Sequence, residues 1–341
     1  MRYKKAVIEV QFNWLFVLII GAVILIMFSG IIIRQKNISE TSKNVMLLNN
    51  LDAIFSGSEA SKGTVNIVRI PETRIEFRCN RYSIGKLSKQ LGVMNVFPPS
   101  ILEGDRLISM TLDFSMPYRI TNLVYITSPK YRYIFIGGND AREMERMMPN
   151  ETFSGIFSTL GEVRYDGEKK ARLVFFDDFL SDGNSLSFNL EDYARLSDND
   201  VTALNVKGSL ESGTIEFFRK QQDKFIKIGE SGYIGKESLL GAVFSDSPEI
   251  YSCVMDNVFE KANIVTKVYR GKTEAIRSAY SGSNDRCSAL FDSVYTLENI
   301  DRILAASSAF SSSNANEIIS AAKSLQGQNK QAQLQSCAVI Y

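Results

Sequence analysis

The organisation of this chain is decided by its first residues, MRYKKAVIEVQFNWLFVLIIGAVILIMFSGIIIRQKN, numbered 1–37. The nineteen residues from Leu15 to Ile33 carry no charged side chain. In helical form they would extend over roughly 28 Å, which is close to the thickness of the hydrocarbon core of a bilayer. The run therefore predicts a transmembrane helix over residues 12–33, in contact with bilayer lipid.

A cleaved signal peptide is the alternative interpretation of the same run. The apolar core of a secretory signal usually has about 7–15 residues and ends at a cleavage site made of small residues. Here the run is longer, and it ends in FSGIII, residues 28–33, where isoleucines replace the small residues. We therefore expect the segment to remain in the mature protein as an anchor.

Basic residues on the two sides of the run predict its orientation. Three of them lie within residues 1–5, whereas Arg34 and Lys36 follow the run. The more basic flank of a membrane helix usually stays in the cytoplasm. Residues 1–11 are therefore predicted to be cytoplasmic, and the C-terminal part of the chain is predicted to lie outside the cell membrane.

The residues after the run favour a longer helix. Between Ile31 and Phe55 the chain contains neither Gly nor Pro, so the helix can continue beyond the bilayer. The segment SGSEASKG, residues 56–63, then brings in two glycines and predicts a break. Residues 34–63 are interpreted as a helical stalk followed by a hinge.

Residues 64–236 contain repeated short runs of Ile, Val, Phe and Tyr, which favour strands. Examples are TVNIVRI (64–70), LISMTLDF (107–114) and ARLVFF (171–176), whereas NDAREMERMM (139–148) has a helical pattern. Runs that are apolar on both faces indicate a sheet covered on two sides. This part is predicted to be a mixed α/β domain built on a mixed sheet.

Residues 237–341 have a helical pattern instead. Pro248 follows Ser247, an arrangement typical of a helix start. The segment CSALFDSVYTLENIDRILAASSAF, residues 287–310, places seven apolar side chains on one helical stripe. We expect a C-terminal helical subdomain that packs on the mixed α/β domain.

Histidine is absent from the 341 residues, and the formal net charge is +1. The absence of imidazole excludes Ser-His-Asp and Cys-His nucleophile systems and every His-ligated metal site. An enzyme built on this chain would have to use carboxylate, Lys, Tyr or thiol groups. The sequence has no basic block with interleaved aromatic residues, so nucleic acid is not an expected partner.

Three carboxylates are candidate metal ligands. Asp177, Asp178 and Asp182 follow the apolar run ARLVFF in the segment DDFLSDGN. Carboxylates at the end of a strand can bind Mg²⁺ or Ca²⁺ through hard oxygen ligands. A solvated loop with turn-forming Asp residues is the alternative interpretation.

Two glycine-containing segments invite comparison with phosphate-binding loops. In IGESGYIGKES, residues 228–238, Glu230 and Glu237 stand where such a loop needs a glycine and a hydroxyl group. In YIFIGGNDAREMERMM, residues 133–148, the third spaced glycine of a nucleotide-binding turn is missing. Both segments are interpreted as structural turns, and no cofactor is expected.

Four cysteines, Cys79, Cys253, Cys287 and Cys337, occur without a Cys-x-x-Cys pair. This spacing disfavours a zinc site and favours two disulfides formed in an oxidising compartment. Four buried free thiols are the alternative. We expect Cys253 to pair with Cys287, because both lie near helix starts in one subdomain, and Cys79 to pair with Cys337.

Two triplets are candidate glycosylation sites. Asn37 and Asn150 each begin an Asn-x-Ser or Asn-x-Thr triplet. Such triplets accept N-linked glycans in extracytoplasmic proteins, although they also occur by chance in most chains of this length.

Several segments resemble a known group of proteins. KKAVIEVQFNWLFVLIIGAVILI (4–26), MPYRITNLVYITSPKYRYIFI (116–136) and QGQNKQAQLQSCAVIY (326–341) are similar to segments of uncharacterised archaeal single-pass membrane proteins with a QFNW-type N-terminus. The resemblance covers nearly the whole chain. It implies a membrane anchor and carries no activity with it.

The N-terminus also resembles a prepilin leader, in which basic residues and a small residue precede a long helix. Type IV pilins have Gly before the cleavage point and Glu at the fifth position after it. Here Ala6 stands before such a point, and Glu9 is the third residue after it. The resemblance implies a subunit whose N-terminal helices assemble into a fibre.

The leading functional hypothesis is a membrane-anchored extracytoplasmic interaction or cell-envelope protein without catalysis. Its partners would be the bilayer, through residues 12–33, and other envelope proteins or further copies of the chain. The alternative is a pilin-like subunit assembled through its N-terminal helix. A tethered enzyme that uses carboxylates is the third hypothesis.

Overall fold

The structure is a computed structural model that describes residues 4–61, 63–92, 95–159, 162–163, 169–176, 185–187, 196–222, 224–282, 286–291, 294–308 and 314–341. The side chains of residues 4–13, 16, 33, 36–40, 59, 185–187 and 294–295 lie outside this description. The chain divides into two compact units, Met1–Leu51 and Asp52–Tyr341.

Helix α1, Lys4–Ala60, is one continuous helix of 57 residues. It ends inside the segment 56–63, where the sequence predicts a break. Its large exposed apolar side chains are Trp14, Leu15, Val17, Leu18, Ile19, Ile20, Val23, Ile24, Leu25, Ile26, Met27, Phe28, Ile31, Ile32, Val45 and Met46. Since Ile24 to Phe28 are consecutive and one helical turn takes about 3.6 residues, the apolar surface surrounds this part of α1 on every face.

Among the residues that the structure describes, no helix combines the length and the apolar character needed to cross a membrane.

The second unit contains a six-stranded sheet in the order β3-β2-β1-β5-β6-β4. Its strands are β1 (Val65–Arg78), β2 (Arg81–Ile84), β3 (Leu87–Gln90), β4 (Val96–Phe97), β5 (Ile101–Ser115) and β6 (Arg119–Thr127). All neighbours are antiparallel except β4 and β6, which are parallel. Strand β1 extends the predicted run 64–70 through Pro71 to Arg78, and its pairing with β5 is irregular between Arg69 and Thr73.

A second sheet has seven strands in the order β10-β13-β12-β11-β9-β7-β8. The strands are β7 (Tyr131–Ile136), β8 (Phe153–Phe157), β9 (Lys170–Phe175), β10 (Ser185–Ser187), β11 (Val201–Ser209), β12 (Ser212–Gln221) and β13 (Lys224–Ile234), and α2 (Asn139–Arg146) connects β7 to β8. Strands β8, β7, β9 and β11 are parallel, and the remaining pairs are antiparallel. The predicted mixed α/β class is confirmed, with two sheets.

The C-terminal helical region is also confirmed. It contains α3 (Gly235–Phe244), α4 (Pro248–Tyr280), α5 (Arg286–Phe291), α6 (Val294–Ser307) and α7 (Ala315–Leu334). Helix α4 begins as predicted: the Ser247 hydroxyl accepts a hydrogen bond from the Ile250 amide, and Pro248 occupies the first turn. The predicted stripe over residues 287–310 is divided between α5 and α6.

Helix α3 lies between the two sheets. Its residues Ser238 to Phe244 are all buried. On the first-sheet side, the Tyr125 hydroxyl donates to the Glu237 carbonyl at 2.8 Å. On the second-sheet side, Arg172 of β9 donates to carbonyls at the end of α3. Both sheets and the helices contribute to one continuous apolar core.

All four cysteines lie in disulfides, but the predicted pairing is wrong. Cys79 pairs with Cys253 and Cys287 pairs with Cys337, each with a Cα–Cα distance of 5.7 Å. Helix α4 separates the two positions that were expected to pair. Cys253 lies in its second turn, whereas Cys287 follows its end. At about 1.5 Å per residue, the part of α4 between Cys253 and Tyr280 is roughly 40 Å long, so Cys287 enters the fold beyond the far end of the helix.

Candidate functional site

The carboxylates predicted to bind a metal, Asp177, Asp178 and Asp182, lie outside the described residues. Within the described ranges, no group of three or more Cys, Asp or Glu residues is arranged to hold a metal ion. The side chain of Asn37 is also outside the description. Asn150 is exposed in a turn after α2, and the hydroxyl of its triplet partner Thr152 donates to the Pro149 carbonyl at 2.6 Å.

The glycines of residues 228–238 have packing and turn roles. A Cβ added to Gly229 would lie 2.7 Å from Cγ of Pro248, so the close approach of α4 to β13 requires glycine there. Gly235 adopts φ +77°, which turns β13 into α3. The Lys236 ammonium forms an ion pair with Glu143 of α2. These contacts join α2, β13 and α3.

A groove of about 440 Å³ lies where β1, the start of β5, the end of β12 and the start of α4 meet. No pattern in the sequence predicts this groove. Its lining includes the arginines Arg74, Arg78 and Arg219, together with Ser247 and Cys79. The Cys79–Cys253 disulfide fixes the end of β1 to the second turn of α4, so two sides of the groove are covalently joined.

The three groove arginines differ in their partners. Arg74 forms ion pairs with Glu76 at 3.2 Å and with Glu103 at 3.1 Å. Neither Arg78 nor Arg219 forms an ion pair with any residue in the described part of the chain. Within the described part of the chain these two guanidinium groups have no carboxylate bound, and a guanidinium can bind a carboxylate or phosphate through two parallel hydrogen bonds.

The start of α4 lines the same groove through Ser247, Glu249 and Ile250. Its first turn contains Glu249, whose carboxylate accepts a hydrogen bond from the Ser247 hydroxyl. The amide end of a long helix carries a partial positive charge. Glu249 offsets that charge, so the attraction for an anion comes mainly from Arg78 and Arg219.

Hydrogen bonds made by Asp246 and Arg172 stabilise the interior behind the groove. The Asp246 carboxylate accepts hydrogen bonds from the Ser100 amide at 2.6 Å and the Ser100 hydroxyl at 2.9 Å. Arg172, which is 2% exposed, donates to the Ala242 carbonyl at 3.0 Å and the Val243 carbonyl at 3.3 Å. It also donates to the Ser245 carbonyl. The guanidinium therefore satisfies the last carbonyls of α3, which have no partner within the helix.

Burial lowers the pKa of Arg172 to about 10, and Asp246 acts in the opposite direction. The side chain therefore remains charged at neutral pH. Burial likewise raises the pKa of the neighbouring Tyr131 well above its ordinary value, so this phenol stays protonated. Neither the pKa of Arg172 nor that of Tyr131 lies near pH 7, so both groups keep one protonation state there, which is typical of a structural contact.

A charged network stabilises the second sheet away from the groove. Glu216 of β12 is 8% exposed and accepts from Asn205 at 2.9 Å. It also forms ion pairs with Lys227 at 2.8 Å and Lys207 at 3.1 Å. Burial would raise the pKa of Glu216, but these hydrogen bonds outweigh it and the pKa lies below its usual value.

Comparison with protein-family models, with curated proteins and with solved structures finds no match to this chain. Function is therefore inferred from the described residues and the sequence. The groove carried no signal in the sequence because Arg78 and Arg219 are distant along the chain and belong to different sheets. Only the long-range packing of β1, β12 and α4 brings them to one site.

Proposed function

We propose that the protein is a membrane-anchored extracytoplasmic interaction protein of the cell envelope. The N-terminal part of α1 would hold it in the cell membrane as a single-pass anchor, with the N-terminus inside and the disulfide-bonded domain outside. The observation that carries this proposal is the apolar surface on every face of α1. The proposed anchor, residues 12–33, includes positions whose side chains lie outside the description.

The exposed apolar area of α1 supports a non-aqueous environment. Leu25 and Ile26 have 69% and 72% of their surface exposed. Each buried leucine or isoleucine side chain gains about 1.5–3 kcal/mol over the exposed state. A helix whose described side chains are apolar and exposed on every face is typical of a membrane span.

The two disulfides support the proposal that the domain lies on the outer side of the membrane. Disulfides form and persist mainly in extracytoplasmic compartments and are rare in the reducing cytoplasm. All four cysteines of the chain are paired. A folded domain exported across the membrane would form these bonds readily.

The groove supports an interaction role for the exported domain. Arg78 and Arg219 present two guanidinium groups without ion-pair partners in the described ranges. Such groups recognise carboxylate-bearing or phosphate-bearing partners. We therefore place the recognition surface of the domain at this groove.

The pilin-like alternative is favoured by the continuity of α1. The helix runs without interruption from Lys4 to Ala60, and such a helix could be covered by the helices of neighbouring subunits instead of lipid. The mass of the intact mature chain separates the two functions. A processed pilin-like subunit would begin at about Val7, whereas an anchored protein would keep its full N-terminus.

Membrane extraction tests the anchor directly. The full-length chain should remain in membranes after alkaline carbonate treatment, and protease added to intact cells should digest the domain. Release by carbonate would overturn the anchor. Protection of the domain from protease would reverse the proposed orientation.

A matched pair of substitutions in α1 gives a sharper test. Leu25 and Met46 have 69% and 67% of their surface exposed, so a lysine at either position would be harmless in water. In a bilayer, Leu25→Lys should weaken membrane insertion by about 2.5–3.5 kcal/mol. Met46→Lys, which lies beyond the proposed span, should integrate like the unmodified chain. Equal behaviour of the two variants would contradict the proposal.

A further inference from the structure

We infer that the N-terminal half of β1 is an open sheet edge that pairs with the same edge of a second copy of this chain. The pairing would be antiparallel and two-fold symmetric, with Ile67 at its centre. This inference does not require the proposed membrane anchor.

The strand pairing of β1 leaves one side open. Strand β5 pairs with β1 from Val65 to Glu76. Strand β2 occupies the other side only from Ile75 to Arg78. Within the described ranges, no strand pairs with residues 65–69 on that second side. An open edge presents a row of unpaired amide and carbonyl groups to a further strand.

The hydrogen-bond pattern shows which residues face the open side. The Thr111 amide donates to the Thr64 carbonyl at 3.0 Å, so these two residues form a hydrogen-bonded pair. In an antiparallel ladder, hydrogen-bonded and non-bonded pairs alternate. The amide and carbonyl groups of Val65, Ile67 and Arg69 therefore point away from β5.

The side chains of this edge are apolar and exposed. Val65 is 41% exposed and Ile67 is 50% exposed, whereas their cross-strand neighbours on β5, Met110 and Ile108, are 5% and 2% exposed. The apolar surface of the sheet therefore reaches the open edge. Natural edge strands are usually protected by charges, prolines or bulges, and Arg69 is the single charged residue in the segment 65–69.

The length of the edge suits a second copy. Pro71 has no amide hydrogen, and the pairing of β1 with β5 becomes irregular after Arg69. Regular pairing is therefore limited to residues 65–69, whose midpoint is Ile67. A two-fold axis at Ile67 places Val65 opposite Arg69 and Ile67 opposite its own copy. Every outward-facing residue then meets another outward-facing residue, so the edge is complementary to itself.

Five residues per copy form a small interface, so the pairing is expected to be weak between freely diffusing copies. Holding copies in one membrane would raise their effective concentration and favour it. The same arrangement would leave the groove of each copy, on the far part of β1, unoccupied by the partner strand.

Cysteine cross-linking in the full-length chain tests the register. In an antiparallel hydrogen-bonded pair, opposite Cα atoms lie about 5.5 Å apart, within the range of a disulfide. Ile67→Cys alone should cross-link two copies under mild oxidation. Val65→Cys alone and Arg69→Cys alone should not, but a mixture of these two variants should cross-link.

Two further variants serve as controls. Ile264 is 58% exposed and belongs to helix α4 instead of strand β1, so Ile264→Cys should give only background cross-linking. Adding Ile67→Lys to both members of the mixed pair should reduce cross-linking roughly fivefold, because like charges would face each other. Adding Ile264→Lys should leave it unchanged.

The cross-linking results distinguish the proposed antiparallel pairing of two β1 edges from a parallel pairing, from random collision and from no pairing. Cross-linking of Val65→Cys with itself would indicate a parallel register and would overturn the inference. Equal cross-linking at Ile264 would indicate random collision and would also overturn it. Absence of cross-linking in both the Ile67→Cys variant and the mixture would show that the edge does not pair.

Discussion

Two segments of this chain form helices that are apolar on every face, and they have opposite surroundings. Helix α3 has an uninterrupted buried stretch from Ser238 to Phe244. The N-terminal part of α1 exposes its large apolar side chains, with Val17 at 68% and Ile26 at 72%. The folded domain covers this stretch of α3, whereas the large apolar side chains of the N-terminal part of α1 are exposed.

The difference lies in what the rest of the chain provides. Two sheets enclose α3, and Arg172 donates hydrogen bonds to the last carbonyl groups of this helix. A helix of ten residues fits within the thickness of a domain. The apolar run of α1, Leu15 to Ile33, has nineteen residues and is longer than the whole of α3. Apolar character on all faces therefore occurs in two different surroundings, buried in α3 and exposed in α1.

The largest loss of free energy of unfolding is expected when the Cys79–Cys253 disulfide is removed from the domain that encloses α3. The Cys79–Cys253 bond joins β1 of the first sheet to α4 over a separation of 174 residues. The chain-entropy model assigns such a bond about 5 kcal/mol. The Cys79→Ala, Cys253→Ala double variant should lose roughly this free energy of unfolding in denaturant titrations under oxidising conditions.

The Cys287–Cys337 bond gives the matched control for this prediction. Its separation is 50 residues, for which the same model gives about 4 kcal/mol. Removing it should cost less and should leave the packing of α3 intact. A loss below about 2 kcal/mol for the Cys79–Cys253 pair would show that the sheets hold α3 without the covalent link.

The next largest effect is expected at Arg172. Arg172→Met keeps much of the side-chain volume but leaves the carbonyls of Ala242, Val243 and Ser245 without this donor. Buried unsatisfied groups cost about 1–3 kcal/mol each, so a loss of about 3–4 kcal/mol is expected in the same titrations. Arg172→Lys should retain part of the stability. An unchanged free energy for Arg172→Met would mean that burying the charge costs as much as its bonds contribute.

Features decided by local signals could be predicted from the sequence. The start of α4 follows from Ser247 and Pro248, because the hydroxyl cap and the missing amide act within one turn. The strand content follows from the Ile, Val, Phe and Tyr runs. The continuous course of α1 follows from the absence of Gly and Pro over residues 31–55.

Features decided by distant contacts could not be predicted. Helix α3 is too short for its apolar run to be distinguished from the end of a strand. The disulfide pairing depends on the length of α4, which separates Cys253 from Cys287. The groove brings together Arg78 and Arg219 from two sheets, and no pattern in the sequence links these two residues.

A charge placed inside the domain extends the comparison, because the domain supplies ion-pair and hydrogen-bond partners for it. Glu216 is nearly buried, but Lys207, Lys227 and Asn205 contact it. Glu216→Gln should lower the free energy of unfolding at pH 7 by about 2–3 kcal/mol, since it leaves the lysines partly unpaired.

Acid unfolding tests the same residue, because the direction of its pKa shift fixes the direction in which its contribution to stability changes with pH. The pKa of Glu216 is lowered in the folded state, so its contribution is complete above its unfolded pKa of about 4.3 and is lost as the pH falls through the lower folded value. The Glu216→Gln variant should therefore show a shallower loss of stability below about pH 4.3. Glu230→Gln, at a residue whose side chain is 61% exposed, should change the profile by less than about 1 kcal/mol.

The smallest effects come from one substitution made in both helices. A Cβ added to Gly241 of α3 would lie 2.8 Å from Cε1 of Phe97, so Gly241→Ala should cost about 1–3 kcal/mol through overpacking. Gly21 of α1 has no atom within 4 Å of the added Cβ, and alanine is the better helix former by about 1 kcal/mol. Gly21→Ala should therefore be neutral or slightly stabilising, measured as the fraction of chain retained in membranes and the thermal midpoint of the domain. A clear loss at Gly21 would mean that a neighbouring helix packs closely against α1 there, as small residues permit, and would favour the pilin-like assembly over a lone anchor.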